Sequence, residues 1–270
     1  MNTIYRFIIL AIIIAGTSSC QKVIDVQLNS ADQRYVIEGE INDGPGPYQV
    51  KISRTKDFSA DNNFDQISGA QVSITDVNAS KTEVLSETSP GIYQTKTLTG
   101  VPGHAYQLSV SVNGKSFAAT SSMPSQAVGI DTLYAGPLEF NDKDIFMTPV
   151  FTDPVGKGNY YLLRQWVNGQ LIKGTVARSD DATDGKTESF PLRYDTQTDS
   201  GNPEIDKGDN ITAELQCVNR QVYDYYRTLR DVTGASNSAT PTNPLTNITG
   251  GALGIFNTCT NRKKSAIASF

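Results

Sequence analysis

The sequence predicts an all-β protein: an N-terminal antiparallel β-sandwich of immunoglobulin-like or transthyretin-like type, then a second antiparallel β domain that carries one α-helix. Three observations support this class. Charged residues make up only 19% of the 270 positions, and 12 tyrosines accompany frequent threonine. Short segments alternate apolar and polar side chains, as half-buried strands do. The 22 glycines and 12 prolines, together with asparagines, separate these segments with turns.

The first element is an export signal. Arg6 precedes an apolar run from Phe7 to Ala15, which is shorter than the roughly 20 residues that a transmembrane helix needs. Residues 16–19 are small and lead to Cys20, an arrangement that resembles a bacterial lipoprotein signal. We predict a signal peptide over residues 1–19, lipidation of Cys20 and a tether over residues 20–33. The alternative is ordinary secretion, with Cys20 an incidental thiol.

The N-terminal β-sandwich is predicted over residues 34–124. About seven short strands in this length are typical of an immunoglobulin-sized domain. The clearest strand runs from Ala105 to Val112, where Tyr, Leu and Val alternate with Gln and Ser. Asn113 and Gly114 follow it and favour the positive φ angles of a two-residue hairpin turn.

The second β domain is predicted over residues 125–270. A hairpin joins Tyr160–Val167 to Gln170–Arg178 across Asn168 and Gly169, and another strand covers Asn210–Val218. A helix is predicted over residues 219–231, because apolar side chains recur there at helical spacing and Asn219 can cap its start. We expect the helix to cover one side of the second sheet.

Two cysteines remain once Cys20 is modified. Cys217 and Cys259 are an even pair in an oxidising compartment, so they could form a disulfide. They could equally be two buried thiols that never meet.

The sequence offers little catalytic or metal-binding chemistry. His104 is the only histidine, it lies in a turn, and no nucleophile elbow accompanies it. The acidic loop from Asp180 to Gly185 fails the EF-hand spacing, because position three is Ala182 and position twelve is Pro191. A looser calcium site remains open there, although a solvated hairpin tip is favoured. We therefore predict no catalytic residues, no metal, no cofactor and no enzymatic activity.

Aromatic residues concentrate in the second domain and suggest a ligand site. Aromatic side chains next to an arginine can bind sugars or flat ligands by stacking. The candidate ligand-binding residues are Tyr160, Arg164, Trp166 and Tyr194. Filling a core is the commoner use of such residues and is the favoured alternative.

The order of short motifs resembles the domain of unknown function 4249 family. The most distinctive string is the C-terminal Thr246-Asn247-Ile248-Thr249-Gly250-Gly251-Ala252-Leu253-Gly254-Ile255-Phe256. Earlier matches, in order, are residues 36–43, 50–55, 67–72, 91–93 and 123–124. The resemblance implies an outer-membrane lipoprotein of Bacteroidota that is often encoded beside a TonB-dependent receptor. It implies no catalytic residues.

These observations predict a lipid-anchored outer-membrane accessory or binding protein that works with a TonB-dependent receptor in nutrient uptake. A stand-alone surface module that binds glycans or peptides is the alternative, and a carboxylate-dependent hydrolase is a weaker one. The net charge of −5 argues against a nucleic-acid partner. The residues after Cys20 favour the cell surface slightly over the periplasmic face. The ligand itself is not predicted.

Overall fold

The described part of the chain is built mainly of β-strands. The computed structural model describes residues 33–56, 64–138, 141–192, 201–233 and 243–270, with the side chains of 141–143 left out. Within these ranges one α-helix accompanies the strands, so the all-β class is confirmed. The predicted signal peptide, Cys20, Tyr194 and all but the last residue of the tether lie outside the described residues.

The largest sheet has nine strands and runs through both predicted β domains. In spatial order its strands are β12 (Gln170–Leu171), β11 (Tyr160–Val167), β15 (Asn210–Val218), β16 (Leu253–Ile267), β1 (Tyr35–Asn42), β2 (Gln49–Arg54), β6 (Ile92–Gln94) and β5 (Ser86–Ser89), while β13 (Val176–Ser179) also pairs with β11. Strand β16 therefore joins the C-terminal strands to the N-terminal ones.

The pairing of β1 with β16 is parallel, whereas the other pairs in the sheets are antiparallel. Val36 lies opposite Leu253 and Asn42 lies opposite Cys259. Two parallel strands must be joined by a long connection. Here the connection from β1 to β16 contains all the other strands named above and the helix. One parallel pair thus joins the strands of the two predicted antiparallel domains, and it was not predicted because local patterns carry no information about such a distant partner.

Two smaller sheets cover the large one. The four-stranded sheet has the order β4 (Lys81–Val84), β3 (Gln71–Asp76), β7 (Ala105–Val112) and β8 (Lys115–Ser122). The three-stranded sheet has the order β14 (Thr187–Ser189), β10 (Asn141–Thr152) and β9 (Thr132–Leu138). The predicted β7–β8 hairpin is confirmed: Asn113 and Gly114 have φ angles of 49° and 72°, and Val112 pairs with Lys115.

Among the described residues, three apolar cores lie against the large sheet. The first packs β1, β2 and β6 against the four-stranded sheet, and Ile248, Ala252 and Phe256 from the C-terminal part complete it. The second packs β11 and β15 against the three-stranded sheet. The third lies on the opposite face of β11 and β15, beneath the helix. The first core therefore includes residues from both sides of the predicted boundary between residues 124 and 125.

Helix α1 spans Arg220–Thr233, close to the predicted range. Asn219 caps it as predicted, because its side-chain oxygen accepts a hydrogen bond from the Val222 N–H at 3.1 Å. Val222 and Tyr225 are buried against Leu162 and Cys259 of the large sheet. Among the described residues, no helix combines the length and the apolar character that a bilayer crossing requires.

Candidate functional site

A cluster of polar side chains crosses one face of the large sheet. Strand register explains it: Arg164 lies opposite Glu214, which lies opposite Lys263 one strand further on. In the same way Gln216 lies opposite Asn261, and Glu40 lies opposite Asn257. Because directly opposed residues share a face, alternate positions of four adjacent strands place these groups together. The polar cluster is defined here as Glu40, Arg164, Glu214, Gln216, Tyr226, Asn257 and Asn261.

Arg164 is the central cation of the polar cluster. Arg164 Nη2 lies 3.0 Å from Glu40 Oε2, and Arg164 Nη1 lies 3.5 Å from Glu214 Oε1. Burial alone would lower the pKa of Arg164, but the charges of Glu40 and Glu214 and the contact with Tyr226 outweigh burial and raise it. The guanidinium is thus firmly charged and held in one orientation.

Amide side chains connect the two glutamates. Gln216 Nε2 donates to Glu40 Oε1 at 3.2 Å and to Glu214 Oε1 at 3.0 Å. Asn257 Nδ2 donates to Glu40 Oε2 at 3.3 Å and to Gln216 Oε1 at 3.2 Å. Glu40 therefore accepts hydrogen bonds from three side chains, which fix the orientation of its partly buried carboxylate.

A pocket of about 360 Å³ opens over Glu40 and Arg164. Its polar lining includes Glu38, Lys51 and Asn257, and the rings of Tyr48 and Tyr226 form part of its wall. Burial raises the pKa of the Tyr226 phenol despite the opposing effect of Arg164, so the hydroxyl keeps its proton at neutral pH. The pocket, about the size of a small polar molecule, offers both donors and acceptors.

The Asn257 side chain leaves one hydrogen-bonding atom unused. The residue is 1% exposed and lines the pocket, and its Oδ1 accepts no hydrogen bond from any described residue. A buried acceptor without a partner costs roughly 1–3 kcal/mol, so such atoms are rare in folded proteins. A donor that enters the pocket, such as a hydroxyl or an N–H group, would satisfy this atom.

The described candidate ligand residues, Tyr160, Arg164 and Trp166, do not line one common pocket. Tyr160, Arg164 and Trp166 share a face of β11, as predicted, but they have different surroundings. Tyr160 packs on Tyr223 of α1 with ring centroids 5.0 Å apart. Lys263 Nζ lies 4.7 Å from the Trp166 ring centroid. Arg164 lines the pocket, and Tyr194 lies outside the described residues.

Sequence reasoning missed the partners of Arg164. Glu40, Glu214 and Gln216 occupy the polar positions of alternating strands, which normally face solvent. In the folded protein α1 packs on that face, and β16 lies beside β1 there. The face is therefore partly buried. The available signal was a Glu and a Gln two positions apart among the apolar residues of the second half of β15.

Of the two alternatives for the cysteines, the structure has the one without a disulfide. Cys217 and Cys259 are both buried free thiols. Cys217 pairs in register with Thr260, so the neighbouring Cys259 points to the opposite face of the sheet. Cys217 belongs to the second core and Cys259 to the core beneath α1, so the sheet separates them. The structure therefore corresponds to the alternative of two buried thiols.

His104 has a structural partner. Its Nδ1 lies 2.9 Å from Asp76 Oδ2, and Asp76 Oδ1 accepts a hydrogen bond from the Ala79 N–H at 2.9 Å. These contacts connect the turn before β7 to the turn after β3. The arrangement agrees with the prediction that His104 is a turn residue.

Three aspartates meet at the predicted acidic loop. Carboxylate oxygens of Asp153, Asp180 and Asp184 lie within 4.8 Å of one another. Asp180 accepts hydrogen bonds from the N–H groups of Gly158 and Asn159. Asp153 accepts from the Tyr161 hydroxyl and the Gly185 N–H, while Asp184 accepts from the Gly156 N–H. These hydrogen bonds connect the loop at residues 153–159 to the loop at residues 180–185, so the cluster has a structural role.

Comparison with known protein families identifies the family of the chain. A family model described as "Domain of unknown function (DUF4249)" matches residues 21–265. No curated protein matches the chain significantly. The matched range includes every residue of the polar cluster.

Proposed function

We propose, starting from the fact that this chain belongs to the DUF4249 family, that it is a non-enzymatic binding protein anchored by lipid to the outer membrane, where it works beside a TonB-dependent receptor in nutrient uptake. The apolar run that ends near Cys20 supports the anchor. Two or more acyl chains on Cys20 would hold the protein firmly, since each buried methylene contributes about 0.8 kcal/mol. We place the folded domain on the cell surface.

The observation that carries the binding role is the pocket over Glu40 and Arg164, one of whose lining residues, Asn257, has an unpartnered Oδ1. Small-molecule sites combine a concave shape with a few fixed polar groups. Here Arg164 and Gln216 fix Glu40 in place, so its carboxylate is oriented before a ligand arrives. Such preorganisation reduces the entropic cost of binding.

The lining favours a small ligand with several hydroxyl groups. Among the lining side chains, Glu38 and Glu40 can accept hydrogen bonds and Lys51 can donate them. This favours a sugar-like nutrient and also supports the second candidate, a surface glycan-binding module that acts without a receptor. A hydrolase has less support, because the carboxylates of Glu40 and Glu214 are both paired with Arg164 and hydrogen-bonded to Gln216.

The anchor is tested by Cys20→Ala in cells. We expect the variant to be uncleaved or to leave the membrane fraction, whereas a Cys217→Ala control should fractionate as wild type does. A cleaved Cys20→Ala product that stays in the membrane would contradict the anchor.

The receptor partnership is tested by purification of the full chain from detergent-solubilised membranes. We expect a TonB-dependent receptor to co-purify. Ligand binding without any co-purified receptor would favour the stand-alone module instead.

The pocket is tested by ligand-observed NMR with a set of neutral monosaccharides and disaccharides. Lys51→Met and Glu38→Gln should each weaken any observed binding at least fivefold. Lys157→Met, a change at an exposed lysine away from the pocket, is the matched control. Equal binding by all variants would place the site elsewhere.

A further inference from the structure

A second cavity, with the opposite charge character, opens at the edge of the large sheet. It has a volume of about 550 Å³ and lies beside β11, where the return strand of the hairpin is interrupted between β12 and β13. Its polar lining is Gln165, Lys173, Thr175, Arg178 and Arg230. No acidic residue is among the described residues that line it. We call this cavity the basic cleft.

Two arginines converge on the basic cleft from different elements. Arg178 comes from β13, and Arg230 comes from the last turn of α1. Both also line an adjoining cavity of about 220 Å³, again with no acid in its described lining. Neither arginine forms an ion pair with an acidic side chain of the described residues. By contrast, Arg220 and Arg227, which lie on the same helix as Arg230, do form such pairs. In a chain with a net charge of −5, two such arginines at one cavity are unusual.

Arg178 is held in position by an aromatic ring. Its guanidinium carbon lies 4.0 Å from the centroid of the Phe190 ring. A stacked guanidinium keeps its N–H edges free for a planar anion, and a carboxylate matches that edge with two parallel hydrogen bonds. The stack thus presents Arg178 to a ligand at little further entropic cost.

Gln165 provides an independent indication of a ligand. The residue is 4% exposed and lines the basic cleft. Its Nε2 donates to the Leu192 carbonyl at 3.5 Å, but its Oε1 accepts no hydrogen bond from any described residue. A buried oxygen of this kind calls for a donor, which a carboxylate cannot supply but a hydroxyl can.

We propose that the basic cleft binds a small molecule that carries both a carboxylate and hydroxyl groups, of the sugar-acid class. The carboxylate pairs with Arg178 and Arg230, and a hydroxyl donates to Gln165 Oε1. A phosphate ester is disfavoured, because Arg230 stands at the C-terminal end of α1, whose dipole repels a dianion more strongly than a singly charged carboxylate. This site is separate from the pocket at Glu40 and differs from it in charge.

The test is calorimetric titration of the full chain with D-glucuronate, D-glucose and glucose 6-phosphate. We expect glucuronate to bind at least tenfold more tightly than glucose, and its affinity to fall as sodium chloride is added. Arg178→Gln combined with Arg230→Gln should weaken glucuronate binding at least tenfold. Both side chains are exposed, so the variant should retain the wild-type circular dichroism spectrum and thermal midpoint.

Further variants separate the contributions of the two arginines and of Gln165 to glucuronate binding. Arg220→Gln removes one positive charge from the helix that carries Arg230, but away from the cleft, and it should bind glucuronate as wild type does. Gln165→Leu should weaken glucuronate binding several-fold. The proposal is overturned if glucuronate does not bind, if the double arginine variant binds as wild type does, or if glucose 6-phosphate binds as tightly as glucuronate. Lys51→Met, which changes the Glu40 pocket and not the basic cleft, should leave glucuronate binding unchanged, so failure at one site is distinguished from failure at the other.

Discussion

Arg164 on β11 donates a hydrogen bond to Glu40 on β1 at 3.0 Å, although the two residues are 124 positions apart in the chain. Two strands, β15 and β16, lie between them in the sheet. The bond therefore ties the C-terminal β11–β15 pair to the N-terminal β1–β2 pair across the face that carries the pocket. The position of one residue depends on the presence of the other.

Arg164→Met should destabilise the fold by roughly 2–4 kcal/mol, because it leaves Glu40 and Glu214 without their cation in a partly buried place. Urea unfolding measures this loss. A double-mutant cycle with Glu40→Gln should give a coupling energy of at least about 1 kcal/mol. Arg220→Met removes an exposed ion pair with Asp224 and should change stability by less than about 1 kcal/mol. Equal effects at both arginines would contradict the central role of Arg164.

Gly254→Ala should destabilise the fold by about 3 kcal/mol or more. Gly254 has a φ angle of +100°, and a Cβ there would lie 2.0 Å from the Ile37 carbonyl oxygen, against the parallel partner strand. Gly136→Ala is the matched control, because nothing lies within 4 Å of a Cβ built there. Thermal unfolding of both variants checks the difference, and similar midpoints would show that β1 and β16 are not packed as described.

The free energy of unfolding should fall at acid pH because Asp76 becomes protonated there. Burial alone would raise the pKa of Asp76, but hydrogen bonds from the Ala79 N–H and His104, with the His104 charge, outweigh burial and lower it. A lowered carboxyl pKa stabilises the fold above the unfolded value of about 3.8, and this stabilisation is lost as the pH falls through the folded value. Asp76→Asn should therefore flatten the acid side of the stability curve between about pH 5 and pH 2.

The control for this experiment is Asp65→Asn, which changes an exposed carboxylate that lies 3.7 Å from Lys56. It should leave the acid side of the curve as in wild type. A curve for Asp76→Asn that parallels the wild-type curve would mean that this carboxyl contributes no pH dependence.

Both thiols should be protected from reagents in the folded protein. Burial raises the pKa of Cys217 and of Cys259, so neither forms the reactive thiolate at neutral pH. With Cys20→Ala in place and no reductant, a thiol reagent should label neither residue in the native state and both in guanidinium. Labelling in guanidinium only after a reductant is added would reveal a disulfide and contradict the opposed positions of the two side chains.

Local patterns predicted most of the elements correctly. The alternation in β7 places Tyr106, Leu108 and Val110 inside and Gln107 outside, as read from the sequence. The hairpin at Asn168 and Gly169 forms with φ angles of 49° and 81°. Turn chemistry and side-chain periodicity act within a few residues, so a single sequence reveals them.

The candidate site could be predicted only in part, because its contacts are distant in sequence. Arg164 was identified as a candidate, but Asn257 donates to Glu40 across 217 positions. No local pattern indicates that β16 lies beside β1, nor that the return strand of the hairpin opens at residues 172–175 to form the basic cleft. Both depend on tertiary packing, which propensity and spacing do not encode.

The central position of β16 also constrains the order in which the molecule can form. Residues 253–267 are made after all the other strands, yet they must enter between β15 and β1 before the large sheet is continuous. Until then two partial sheets expose the unpaired backbone edges of β1 and β15, which are templates for pairing with other chains. Export in an unfolded state would protect the chain during this interval, because the last strand is then available when folding begins.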